Sequence, residues 1–499
     1  MTADGIHSAT AAPEVASSAG AVRGKLLDGG VRAFKGIPYA EPPVGVLRFQ
    51  RPQRRAPWSG VREAIRYGAT APQKMSTGPA SDLVPNVIEP GDDYLNLNIW
   101  TPEGARDLPV MVFIHGGSWS IGSGAIAGYD GAKFARDGVV LVTINYRLGI
   151  EGFVWFGEGE PNLGMLDQVC ALEWVRDNIA SYGGDPDAVT VFGESAGGMS
   201  VGTLLAMPAA KGLFRRAIAQ SGGAYHAIDA PSAKLVANRI ADIVGVGHSR
   251  EALVTVASER LLDAQLQIAT EVARHRKRFG DAGANGLAFE PVIDGTSLPA
   301  LPIDAIRRGS AEGVDVMIGN NAEEGLFLFA PTGVVTKTKR WLLPFAARRV
   351  GLPAFEAVRV YSASRPDARP GDLLSDMFGD AIDAIPTIRV AEGHPGSYVY
   401  EFAWRSPAFG GELGACHGVE LPFVFDNLDS PDWAALTQGV GPQAVADVVH
   451  RAWVDFASTG DPGWRAYSTA DRAVMRFDIE SAIVVDPRPT IRALWEGRR

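Results

Sequence analysis

Gly193-Glu194-Ser195-Ala196-Gly197 sets one serine between two glycines, directly after the apolar run Val189 to Phe192 and before the helical stretch MSVGTLLAM. A strand that turns abruptly into a helix strains the residue at the corner, and small neighbours let that residue project outward. The helix N-terminus beside it favours developing negative charge. As a bare string G-x-S-x-G arises by chance; the strand before it and the helix after it single this one out as a nucleophile. A hydroxyl is a weak nucleophile until a base takes its proton, and the tetrahedral intermediate it forms needs donors for its oxyanion. Acyl transfer through Ser195 therefore requires a base, an acid that orients the base, and an oxyanion hole elsewhere in the chain.

His115-Gly116-Gly117-Ser118-Trp119 follows the apolar run VMVFI, where an early strand-to-helix loop supplies oxyanion donors. The amides of Gly116 and Gly117, with that of Ala196 after the nucleophile, are assigned to the oxyanion. His115 precedes the nucleophile, against the chain order serine, acid, histidine, and is read as bracing its own turn. His417, in the late Gly-rich string GACHGVELPF, is the predicted base. His226, after QSGGAY, is the second choice, and His450 falls in an amphipathic helix. The acid should follow the run VDVMIG, where Asn320-Asn321-Ala322-Glu323-Glu324-Gly325 offers two adjacent carboxylates that spacing does not separate. Trp119 beside the oxyanion turn points either to an apolar substrate pocket or, equally, to packing. Cys416, next to the base, is a place where a thiol reagent would obstruct catalysis.

These residues need a sheet to hold them. Val110 to His115, Val139 to Asn145, Val189 to Phe192 and Val314 to Gly319, with Tyr398 to Phe402, are apolar, mostly β-branched runs that alternate with helical stretches. That is the pattern of an α/β fold with a mostly parallel sheet buried on both faces. In QVCALEWVRDNI, from Gln168 to Ile179, apolar residues recur at helical spacing. Segments 231–279 and 342–387 read as interrupted helices inserted between strands and covering one end of the sheet. No linker composition divides the interior of the 499 residues, so residues 21–499 are expected to form one domain after a flexible tail over 1–20.

A net charge of −10, from 57 acidic against 47 basic residues, argues against nucleic acid or an anionic membrane as the partner and leaves small molecules. Two cysteines are too few for a disulfide framework or a cysteine-rich metal site. The first twenty residues hold acidic residues and no apolar run of signal length, and no stretch of eighteen apolar residues occurs. The expectation is a cytoplasmic protein, monomeric or a small homo-oligomer, that needs no metal or cofactor.

With these strings in view, the chain resembles the type-B carboxylesterases, the family of the bacterial para-nitrobenzyl esterases and the cholinesterases. The likeness runs nearly end to end, through FKGIPYAEPPVGVLRF, DDYLNLNIW, the HGG turn, NYRLG, NLGMLDQVCALEWVRDNIASYGGDPDAVTVFGESAGG, FEPVIDG, NNAEEG and CHGVELPFVF. It implies an α/β-hydrolase fold and ester hydrolysis through an acyl-enzyme, with carbamate or anilide cleavage as the alternative and a non-catalytic binding protein as the remote one. It selects Glu324 over Glu323 as the acid, makes His417 of the H-G-x-E string the base, and implies that Glu194 and Ser221 support the triad. Tyr94 stands where many relatives have a disulfide cysteine, and Tyr182 where the signature has phenylalanine. The covering segments match poorly, so the resemblance does not name the substrate.

Overall fold

The computed structural model describes residues 12–75 and 77–498. Eleven strands form one sheet: β1 (Lys25–Leu27), β2 (Val31–Pro38), β3 (Asn96–Pro102), β4 (Leu108–Ile114), β5 (Val140–Ile144), β6 (Gly184–Glu194), β7 (Arg216–Gln220), β8 (Asp315–Asn321), β9 (Tyr398–Phe402), β10 (Ala473–Phe477) and β11 (Ala482–Val485). Their spatial order is β1-β2-β3-β5-β4-β6-β7-β8-β9-β10-β11. Every pairing from β5 through β10 is parallel, and the outer pairings are antiparallel. The mostly parallel sheet of the sequence reading is present, with Tyr398–Phe402 unmoved and the other strand ends shifted by one to five residues.

The central strands are apolar without interruption because both faces are covered. Along β4, Val110, Val112 and Ile114 join the core on one face, while Met111 and Phe113 join the core on the other. This is the two-residue alternation of a strand with neither face exposed to water. Each such side chain stabilises the fold by about 1.5–3 kcal/mol, and Phe113→Ala would cost about 3–5 kcal/mol. The helix Leu163–Asn178 packs Val169, Leu172 and Val175 into the first of these cores. Asn162, in the left-handed region just before it, grips the backbone of Val292 through both side-chain amide atoms.

Segments 231–279 and 342–387 carry helices Ala230–Val244, Arg250–Val254 and Ser258–Arg274, then Leu343–Arg349, Ala354–Ser364, Pro370–Gly379 and the start of Ile385–Gly393. Between the last two the chain makes a π-helical turn, Asp380–Ala384. Of the tail expected over 1–20, residues 1–11 lie outside the described residues, and the rest is corrected. Glu14–Ser17 pairs antiparallel with Gly20–Arg23, setting Val15 opposite Val22, and both valines are buried. A cross-strand apolar pair under cover is enough to order this short hairpin.

Parallel strands all end on the same edge. Gly116 follows β4, Ser195 follows β6, Ser221 follows β7 and Glu324 follows β8, so residues distant in the chain are gathered by the sheet alone. Ligands of open α/β sheets bind at this carboxyl edge.

Candidate active site

Ser195 sits at φ 57°, ψ −125°, a conformation an L-residue avoids, and is held there from both sides. Its amide donates to the Gln220 carbonyl at 3.0 Å, and its carbonyl accepts from the Met199 amide at 2.8 Å. A Cβ at Gly197 would fall 2.0 Å from the Ile114 carbonyl oxygen, so only glycine lets the helix Ala196–Leu204 start this close to β4. The serine is half-buried at the wall of a cavity of about 530 Å³, which Gly116, Gly117, Glu194, Glu324 and His417 also line.

The two candidate glutamates part company in space. Glu324 accepts from His417 Nδ1 at 2.6 Å through one oxygen. Its other oxygen accepts from the Ser221 hydroxyl at 2.7 Å and the Asn321 amide at 2.6 Å. Glu323 turns away, accepting from Arg365 at 3.3 Å, from Arg405 and from the Ala415 amide. His417 is partly exposed to the cavity, and Phe327 packs edge-on against its ring at 5.8 Å.

The other face of the imidazole meets Glu194, whose Oε1 lies 3.1 Å from Nε2. That oxygen has no aligned hydrogen-bond donor, so the contact is electrostatic. Burial works against a charged His417, yet the carboxylates of Glu194 and Glu324 outweigh it and hold its pKa well above the ordinary value. Glu194 itself is pushed up to about 8 by burial, with the charge of His417 opposing. Acids crowded around one base cannot all ionise.

Two members of this crowd escape the sequence reading. Glu420, in the H-G-x-E string three residues after the base, accepts from Gln220 at 3.1 Å and Asn321 at 2.6 Å. Its position in the string was the available signal. Asp383, on the π-helical turn, is 4% exposed, lines the cavity, and leaves Oδ1 without a partner. Burial first, and then the charge of Glu324, raises its pKa well above the carboxylate range. Glu324, Asp383 and His417 present ligand atoms within 4.8 Å of one another, but two of the three already face each other across a hydrogen bond. The set is better arranged to share protons than to hold a metal.

The remaining candidates fall into place by contact. His115 is fully buried, stacked on Tyr146 at 4.5 Å and bonded through Nδ1 to the Gly116 carbonyl at 2.8 Å. Burial drops its pKa to about 4, so it stays neutral and braces the Gly116-Gly117 turn. His450 is tied to the Val424 carbonyl at 2.7 Å inside a helix and does not line this cavity. Trp119 is a correction. It is fully buried, at a backbone φ of 53°, and donates to Ser200 Oγ at 2.9 Å instead of lining the cavity. Tyr94 donates a 2.8 Å hydrogen bond to Glu151.

The family model for the carboxylesterase family matches residues 11–488. The chain belongs to the carboxylesterase family. It is 37% identical to a para-nitrobenzyl esterase of Bacillus subtilis, covering 95% of this chain and 96% of that protein. It is also 37% identical to a phenmedipham hydrolase of Pseudarthrobacter oxydans, over 92% and 94% of the two chains. A solved carboxylesterase of Geobacillus stearothermophilus superposes with a TM-score of 0.84 at 37% identity, covering 97% of this chain and all of that one. The α/β-hydrolase fold and a carboxylic ester hydrolase activity go with membership. No helix among the described residues of this carboxylesterase is long and apolar enough to cross a membrane.

Proposed function

We propose that this carboxylesterase hydrolyses small esters through an acyl-enzyme on Ser195, with His417 as base and Glu324 orienting it. The observation that carries the reading is the 2.6 Å hydrogen bond from His417 Nδ1 to Glu324, on the wall of the same cavity as Ser195. With Nδ1 committed to Glu324, Nε2 is the nitrogen available to take the serine proton and to return it to the leaving alcohol. The amides of Gly116, Gly117 and Ala196 would receive the oxyanion as the carbonyl becomes tetrahedral. Ser221 and the Asn321 amide fix the glutamate that fixes the histidine, a support for geometry and not for bond making. Water then repeats the sequence on the acyl-enzyme.

The test is stopped-flow hydrolysis of p-nitrophenyl butyrate by wild type and Ser195→Ala, with intact-mass detection of an organophosphate adduct. Activity lost in the variant, with the adduct mapped to Ser195, is the expected result. An unaltered rate in Ser195→Ala would overturn it. The phenmedipham hydrolase relative makes aryl carbamates the second substrate class to assay, because the same groups serve a nitrogen-bearing acyl centre. Two free, buried thiols support a reducing, cytoplasmic setting.

A further inference from the structure

One wall of the cavity carries polar groups that the proposed acyl-transfer machinery does not use. Arg276 lines it, half-buried, with no salt bridge among the described residues and with its buried Nε lacking any hydrogen-bond partner. The charge acting on it is that of Arg349, like in sign. A guanidinium packed against protein without an acid is unusual, since its five donors are normally spent on carboxylates or carbonyls. Beside it, Gly286 leaves just enough room: a Cβ there would meet the Arg276 terminal nitrogen at 2.6 Å.

The same wall carries His226, 3% exposed, with Nε2 unpartnered. Its Nδ1 faces Glu290 Oε1 at 3.2 Å, and Asn285 donates to both oxygens of that fully buried carboxylate, at 3.0 and 3.2 Å. The imidazole is therefore held from behind by Glu290, with its second nitrogen buried and unpartnered at the cavity wall. With a hydrogen on Nε2 the ring can donate to a bound anion. The loop that carries His226 also passes the nucleophile: Ser221 bonds Glu324, and a Cβ on Gly222 would come 2.8 Å from the Ser195 carbonyl.

Charge outside the cavity agrees. Arg276 belongs to the run Arg274-His275-Arg276-Lys277-Arg278, whose other four members are exposed, in a chain of net charge −10. Exposed basic side chains flanking Arg276 raise the local concentration of anions on an otherwise acidic protein.

We propose that Arg276 and His226 form an anion subsite of the cavity, and that the favoured substrates are esters bearing a second, free carboxylate, such as half-esters of dicarboxylic acids. Arg276 supplies the planar fork that pairs with a carboxylate, and His226 Nε2 supplies a directed single contact. This rests on the acyl-transfer reading above and narrows it to a substrate class.

The test compares initial rates of methanol release from matched monomethyl and dimethyl esters of succinate, glutarate, adipate and suberate. Each pair differs by one negative charge. Wild type, Arg276→Met and Arg276→Lys are assayed at low and high sodium chloride. For at least one chain length the ratio of kcat/KM for half-ester over diester should fall roughly tenfold or more in Arg276→Met, the size expected for a lost charged hydrogen bond. Arg276→Lys should restore part of it, and the wild-type ratio should fall as salt rises. A ratio equal in all three proteins and indifferent to salt overturns the subsite. Wild type that hydrolyses none of the diesters overturns the acyl-transfer reading, and the subsite with it. The salt series uses unaltered protein, so the test survives a variant that fails to fold.

Discussion

Nε2 of His417 lies 3.1 Å from Glu194 Oε1 while its Nδ1 lies 2.6 Å from Glu324 Oε2. The base is thus flanked by carboxylates on both ring nitrogens, and of the charges that raise its pKa Glu194 is the largest. A negative neighbour favours imidazolium, and only the neutral ring accepts the serine proton. Glu194→Gln removes that charge at nearly constant shape, so His417 loses its proton at lower pH. The acid limb of the kcat/KM profile should move to lower pH than in wild type. A limb that stays in place would assign the high pKa to another group.

Glu324 and Glu323 make a matched pair of controls. Glu324→Gln keeps the size of the group but exchanges an acceptor for a donor opposite Nδ1, favouring the wrong tautomer of His417. Loss on the order of 10⁴ in kcat is expected, with little change in KM. Glu323→Gln touches neither the base nor the serine and instead weakens its contacts to Arg365 and Arg405. Its effect should appear in thermal stability, with kcat within a few-fold of wild type. Equal losses of kcat in the two variants would show that the pair is not functionally divided.

That pair also marks how far the sequence could be read. Ser195 and the Gly116-Gly117 turn were legible because their chemistry is local: an apolar run, a turn and a helix start lie within a dozen residues. The sheet was legible because burial on both faces leaves unbroken β-branched runs. Spacing does not separate the neighbours Glu323 and Glu324, which the resemblance alone told apart; in space they are parted by Ser221, Asn321, Arg365 and Arg405, which only the fold brings close. Trp119 was misplaced because adjacency to a loop does not reveal that its ring is spent on a buried hydrogen bond to Ser200. Asp383 had no signal at all. Its place depends on a π-helical turn in a covering segment, where one extra residue per turn changes which side chain faces the cavity.

The two cysteines should be inert in the folded protein. Burial raises the Cys170 thiol to about 12 and the Cys416 thiol well above its ordinary value, so neither supplies the thiolate that reacts. Cys416 is fully buried beside His417, which leaves a reagent no approach to obstruct the base. A colorimetric disulfide reagent should register almost no thiol in native protein at neutral pH and both thiols after unfolding. Rapid labelling of one thiol with loss of activity would reverse this account of Cys416.

Arg147 and Asp167 join the loop after β5 to the helix Leu163–Asn178 by a buried ion pair. Their side chains are 1% and 0% exposed. Arg147 donates through Nε and its terminal nitrogen at 2.8 and 2.7 Å, its amide adds a third bond at 2.9 Å, and the remaining nitrogen reaches the Gln50 carbonyl at 2.6 Å. The cost of desolvating both charges is offset by these bonds, so the pair as a whole adds little net stability, but either charge alone is left stranded. Asp167→Leu and Arg147→Met should each destabilise by about 3–5 kcal/mol. The double variant should lose less than the two single losses combined, because neither partner remains to be desolvated unpaired. Denaturant melts of the four proteins decide the matter: additive losses would mean that the two side chains act separately, and that packing at each site, not their mutual charge, holds the loop to the helix.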